Sequence, residues 1–192
     1  MDTRETILRQ TRELIYHQGY VATSLNQIMD AAGVGKGQLY YYFKSKKDLG
    51  LEVTQNLLRE WDFELIQGIF GSSLPPEDRF RAMLAWIFDF HRQQEGTIFY
   101  GCPVGNLIVE LAAQDQDFRQ LLADFMDQWF EELSGLLQVM HPSWSNETCQ
   151  QATREIIAQI QGAIVLLKLS QDIQVIAKAM ISLEERYLTY TH

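Results

Sequence analysis

The sequence predicts an all-α protein of nine helices, and three observations point there. Every long segment repeats its apolar residues with helical spacing, and no stretch alternates as a strand does. Capping residues also bracket the periodic segments. Ile7, Leu8, Thr11, Leu14 and Ile15 form the stripe of a first helix, which Gly19 ends. Ser24 caps a short second helix, Leu25 to Ala32, and Gly33 stops it. A Gly33-Val34-Gly35 turn leads to a short third helix through Tyr42. Ser45-Lys46-Lys47-Asp48 reads as a capping box opening a fourth helix that runs to about Phe70. Gly71-Ser72-Ser73-Leu74-Pro75-Pro76 is a linker, and a fifth helix follows from Glu77 to Gln94. Glu95 to Gly101 reads as a loop. Pro103 to Ala113, Phe118 to Met140, Glu147 to Lys168 and Asp172 to Tyr190 complete the set, with His141-Pro142-Ser143 as a break and Ser145 as a cap.

At 192 residues the chain can form one or two small domains with a hydrophobic core. The densest apolar stretch, Ile156 to Leu169, contains Gln159, Gln161 and Lys168, so no membrane span is expected. The first twenty residues carry Arg4, Glu5, Arg9, Arg12 and Glu13 at helical spacing, unlike a signal peptide, and the expected compartment is the cytoplasm. Cys102 and Cys149 lie far apart, match no metal spacing and are expected as thiols.

Charge is unevenly spread. Residues 1–50 hold seven Lys/Arg against five Asp/Glu, a net of +2, while the remainder holds nine against twenty, a net of −11. DNA would repel the body, so any nucleic-acid contact must lie in the N-terminal quarter.

Ser24 to Phe43 has the outline of a helix-turn-helix, two short helices joined by a Gly-containing turn. Ile28, Ala31, Val34 and Leu39 would pack the pair together and against Leu14 and Ile15. Lys36, Gln38, Tyr40, Tyr41 and Tyr42 remain on or near the second of the two helices. Three successive tyrosines cannot all face one core. Tyr40 suits packing better than base reading. Exposed tyrosines can bond phosphates and pack on sugars, and Gln38 can read a base edge. Lys44 and Lys47 read as solvated charges.

Residues 6 to 52 resemble the DNA-binding domain of the TetR family of repressors, and Thr23 through Lys46 carry the likeness. The resemblance implies that Gln38 and Tyr41 face bases, that Tyr42 and Lys46 hold phosphates, and that Thr23 anchors the DNA backbone. Gly35 departs from the family, which usually places a serine or threonine there; Lys36 can supply the missing phosphate contact. The candidate DNA-binding set is therefore Thr23, Ser24, Lys36, Gln38, Tyr41, Tyr42 and Lys46.

The C-terminal helices must hold a partner subunit and respond to a signal, because one half-site binds weakly and helix-turn-helix proteins read pseudo-palindromes as dimers. On the last two helices, Ile157, Ile160, Ile164, Leu167, Ile176 and Met180 are candidates for the homodimer interface, which the resemblance also implies. Gly162 and Ala163 would permit close helix approach. The same apolar residues also suit a core. Aromatic residues cluster in the middle helices, and Trp61, Trp86, Phe90, Phe125 and Trp129 are candidates for an apolar pocket; such stripes also build cores. Tyr100-Gly101-Cys102-Pro103-Val104-Gly105-Asn106-Leu107, with Glu110 three residues further on, resembles a TetR subgroup of repressors of reductase and drug-efflux genes. Some of its members sense electrophiles or oxidants through a cysteine near this point. That adds Cys102 and Asn106 to the sensor candidates. Pro103 suits a first helical turn, where the dipole favours a thiolate at Cys102. Lys168 is a candidate counter-charge. A small buried hydrophobe is the other role open to Cys102.

These readings make residues 1–50 a DNA-binding domain and 51–192 a ligand-sensing and dimerisation domain. The expected partners are double-stranded operator DNA, a small-molecule inducer and a second copy of the chain, with no cofactor and no membrane. An enzyme is disfavoured: there is no nucleophile elbow or metal-ligand cluster, and the Gly33 to Gly37 run lacks the spacing of a phosphate loop. His17, His91, His141 and His192 are scattered. A DNA-binding structural protein without sequence preference is opposed by the acidic body.

Overall fold

The computed structural model describes residues 2–93 and 98–188. Among them the chain forms nine α-helices and no strand: α1 (Thr3–Gln18), α2 (Leu25–Ala32), α3 (Lys36–Tyr42), α4 (Lys46–Trp61), α5 (Pro76–Arg92), α6 (Pro103–Leu111), α7 (Gln116–Met140), α8 (Asn146–Ser170) and α9 (Gln174–Leu188). The expected loop from Glu95 and the expected last turn of the ninth helix fall partly outside the described residues.

The chain divides into two compact units, one built from residues up to 60 with 103–123, the other from 61–102 with the residues from 124 onward. In the first, α1 opens with the Asp2 carboxylate accepting from Arg4 N. It buries Ile7, Leu8, Thr11 and Ile15 along one face. Gly19 ends it at φ 89°, a left-handed conformation that side chains other than glycine resist. α2 packs against α1. Ser45 Oγ accepts from Asp48 N at 3.0 Å, which opens α4 as expected.

Where the sequence suggested one regular helix to Phe70, α4 stops at Trp61 and Asp62–Phe70 continues as a π-helix. Gly71 N donates to Ile66 O, five residues back, at 2.9 Å. A Cβ at Gly71 would lie 2.7 Å from Gln67 O, so glycine permits this exit.

In the second unit, Pro75-Pro76 starts α5, with Pro76 at its first position and Glu77 and Asp78 in its first turn. α5 packs on the π-helical segment and on α9, and α9 packs on α8. Phe80, Met83, Leu133, Leu137, Ile156, Leu167, Ile176 and Leu183 fill this core without solvent exposure of any consequence. No helix among the described residues is long and apolar enough to cross a membrane.

Candidate functional site

The N-terminal site is built from α2, α3 and the turns around them. Ser24 and Gln27 cap α2 reciprocally: Ser24 Oγ accepts from Gln27 N at 3.2 Å, and Gln27 Oε1 accepts from Ser24 N at 2.8 Å. Gly33 leaves the helix in the left-handed region at φ 66°. Ile28, Leu39 and Ile15 are buried and pin the helices together, whereas Ala31 is exposed and Val34 and Leu14 are half-buried. Leu39 is the residue of α3 committed to the core.

The rest of α3 faces water, except Tyr42, which is half-buried. Tyr41 is 81% exposed and stands edge-on to Tyr42 at 4.9 Å. Tyr40, expected as a packing residue, is also exposed, with Lys36 Nζ 5.9 Å from its ring centre. Gln38 Oε1 accepts from Gly35 N at 3.2 Å, capping its own helix and holding the amide in place. No acidic residue lies on α3.

Thr23 and Lys47 depart from their expected roles, and Lys46 has contacts within the chain. Thr23 is fully buried: its hydroxyl donates to Gly19 O at 2.7 Å and accepts from Gln18 Nε2 at 3.2 Å. It braces the turn from inside and offers no free hydroxyl to a phosphate. Lys46 Nζ donates to Val21 O at 3.2 Å and sits 4.4 Å from the Tyr20 ring centre. Burial pushes its pKa down, against a smaller opposing pull from Glu110. Lys47 forms ion pairs with Asp115 and Asp117, each at 2.7 Å, where the sequence suggested a solvated charge. The hydrogen bonds to these carboxylates, Asp115 first, raise its pKa to about 12.

Sequence reasoning assigned no role to Glu110. Its carboxylate on α6 accepts from Tyr20 N at 2.9 Å and Val21 N at 2.7 Å, clasping the turn between α1 and α2. The signal available was an acidic residue on an apolar helix, PVGNLIVEL, with no basic neighbour to pair it.

The second unit holds a pocket lined by Trp61, Trp86, Phe90, Cys102 and Trp129, all expected, together with Ile87, His91, Ile160, Gln161 and Ile164. About 20 Å³ of its space can hold a water centre. Trp61 stands edge-on to Trp86 at 5.1 Å and to Phe90 at 5.7 Å. Phe125 lies behind this wall, 6.1 Å from Trp61. Asn106, on α6, is not a lining residue. The α8 side chain at Cys102 is Gln161, whose Nε2 approaches Sγ at 4.0 Å. Lys168, the expected counter-charge, is exposed about two turns further along α8. Cys149 is fully buried, with Gln138 Oε1 3.5 Å from its sulfur, and burial raises its thiol pKa. His91 reads in the sequence only as one of four scattered histidines, although Phe80, Met83, Leu84, Ile87 and His91 follow one helical stripe.

The candidate dimer residues need correcting. Ile160, Ile164, Leu167, Ile176 and Met180 are buried within their own chain, and Ile157 is half-buried. α8 and α9 pack on each other, so this stripe is spent inside the protomer, with Ile160 and Ile164 lining the pocket. The exposed apolar side chains on these helices are Val165, Leu166, Leu169 and Ile181.

Known proteins share this architecture. Residues 7–53 match the bacterial regulatory proteins of the tetR family, and residues 76–183 match the tetracyclin repressor-like C-terminal domain. An uncharacterised HTH-type transcriptional regulator from the lacX 3′ region of Lactococcus lactis is 43% identical over 179 residues, covering 91% of this chain and 88% of the relative. The HTH-type transcriptional regulator LmrA of Bacillus subtilis is 28% identical, with 86% of each chain covered. Among solved structures, the reduced form of Escherichia coli NemR superposes with a TM-score of 0.81 at 23% identity over 95% of each chain. SCO4454, a TetR-family transcriptional regulator from Streptomyces coelicolor, gives 0.84 at 20% identity over 97% of this chain and 94% of that one. On both domain matches and the Lactococcus relative, the chain belongs to the TetR family of helix-turn-helix transcriptional regulators and is not an enzyme.

Proposed function

We propose that the chain is a cytoplasmic homodimeric repressor that leaves operator DNA when a small molecule enters the pocket beside Cys102. In this reading residues 1–50 bind DNA and residues 51–192 sense the inducer and hold the partner. The exposed face of α3 carries the argument: Tyr41 is 81% exposed beside a Gln38 already fixed by its own helix. Gln38 and Tyr41 read base edges, while Lys36, Tyr42, Lys46 and the capped start of α2 at Ser24 meet the DNA backbone. Thr23 contributes by bracing the turn. Covalent continuity links the pocket to this head, since α6 begins one residue after Cys102 and its Glu110 clasps the turn between α1 and α2. The inducer shifts the equilibrium by binding the released state more tightly than the DNA-bound one.

The test is retardation of the gene's own upstream DNA at fixed near-physiological salt. Wild type should bind it in preference to unrelated DNA, and Gln38→Ala with Tyr41→Ala should lose about a hundredfold or more in specific affinity. Equal retention of both DNAs by wild type and variant would refute the reading.

A second reading is release by modification of Cys102. It is favoured by the sulfur's place in the pocket lining, directly before the first turn of α6. With N-ethylmaleimide, the thiolate would add to the ring double bond, forming a C–S bond while the neighbouring ring carbon takes up a proton. Cys102→Ser should keep operator binding and resist release by the reagent. Release of this variant at the wild-type rate would dismiss the cysteine.

A further inference from the structure

Two buried polar atoms, His91 Nε2 and Trp129 Nε1, have no partner among the described residues, and both residues line the pocket. Both side chains belong to residues only 3% exposed. Buried polar atoms are nearly always satisfied, and leaving one bare costs far more than a hydrogen bond returns. A pair of such atoms in one cavity therefore marks a place where something polar belongs.

The chemistry of that group follows from the two atoms. Trp129 Nε1 carries a hydrogen and can only donate. His91 Nδ1 lies 2.8 Å from Ile87 O, and a carbonyl only accepts, so Nδ1 holds the proton. Burial lowers the pKa of this imidazole, outweighing the smaller opposite effect of the Ile87 bond, so the ring is neutral. Nε2 is then a bare acceptor. The occupant must accept from one atom and donate to the other, which a single hydroxyl does. The space able to hold a water centre, about 20 Å³, is one hydroxyl in size.

The surroundings define the remainder. Trp61, Trp86 and Phe90 present aromatic surfaces, and Ile87, Ile160 and Ile164 add aliphatic ones. Among the described residues no carboxylate, ammonium or guanidinium lines the pocket, so neither an anion nor a cation finds a counter-charge among them. An aromatic ring gains offset or edge-on contact with such walls.

We propose that this pocket takes an uncharged hydroxylated aromatic molecule, its hydroxyl donating to His91 Nε2 and accepting from Trp129 Nε1–H. The proposal rests on the reading of the pocket as the inducer site and adds the ligand's class.

Calorimetry on the full-length protein without DNA tests it with three probes of similar size: 4-ethylphenol, 4-ethylanisole and 4-ethylbenzoate. The phenol should bind at least about tenfold more tightly than the anisole, which has no proton to donate, and also than the charged benzoate. His91→Phe and Trp129→Phe, checked for retained helicity, should each reduce that preference to within about threefold. Equal affinity for phenol and anisole, or no binding of the phenol, would overturn the proposal, and these wild-type outcomes do not depend on either variant folding. Operator release is read separately, by gel retardation with the same phenol. Selective binding without release would leave the ligand class standing and refute the role of the pocket as inducer site.

Discussion

At the scale of single residues, Glu110 has more structural work than its position on a short apolar helix suggests. Two consecutive N–H groups at the end of α1 have no helical acceptor, because Gly19 turns the chain away at φ 89°. The Glu110 carboxylate accepts from both, and a Cβ on Gly19 would approach it to 3.0 Å. The turn is thus closed by a charge-assisted pair of bonds that only this side chain supplies. The Tyr20 N–H is partly buried and the Val21 N–H exposed, so water replaces the second more readily than the first. Glu110→Ala should lower stability by about 1–2 kcal/mol, and Glu110→Gln, which keeps one good acceptor, by roughly half that. Urea denaturation of the full chain measures both. Unchanged midpoints would show that solvent satisfies the turn as well as the carboxylate does. Thr23 belongs to the same turn, and its inward hydroxyl is why a residue that the resemblance assigned to DNA serves as a brace.

At the scale of elements, the sequence foretold all nine helices because each carries its own local signals. Ser24, Ser45 and Ser145 accept from backbone N–H groups at the starts of α2, α4 and α8 as their positions suggested. What lacked a local signal stayed hidden. The π-helical widening after Trp61 has the same apolar spacing as an α-helix, and only the tight approach at Gly71 betrays it. Faces were harder than helices. On α8 an apolar stripe was visible, but periodicity cannot say whether it meets its own chain or another. Ile160, Ile164 and Leu167 turned inward, leaving Val165, Leu166 and Leu169 outside. The aromatic wall of the pocket was legible because four large rings cannot be hidden elsewhere on a 192-residue chain. His91 and Gln161 were not, since a lone polar residue on a buried stripe has no signature until its neighbours are placed.

At the scale of the whole molecule, the outward face of α8 is the strongest claim on a partner. Gly162 is exposed with nothing within 4 Å of its Cβ position, and Val165, Leu166 and Leu169 continue the same stripe at helical spacing. Leu169 is 82% exposed and Leu166 55%, an expensive arrangement in water at about 25 cal/mol per Å² of apolar surface. A small residue beside three large apolar ones lets a second helix come close. In a two-fold dimer the stripe meets its own copy, so each leucine position is buried once in each protomer. Ile181 on α9 is 56% exposed and extends the apolar surface to the neighbouring helix. Leu166→Glu with Leu169→Glu should therefore remove roughly 6 kcal/mol or more of association energy, counting four leucines at about 1.5 kcal/mol each, before any cost of burying glutamates. Sedimentation at micromolar concentration should show wild type at twice the protomer mass and the double variant at the protomer mass. Because both side chains point away from the core, circular dichroism and the urea midpoint of the protomer should change little. The monomer would hold single half-sites only, so operator affinity should fall even though α3 is untouched. A double variant still at twice the protomer mass would place the interface on another face and leave this stripe without a partner.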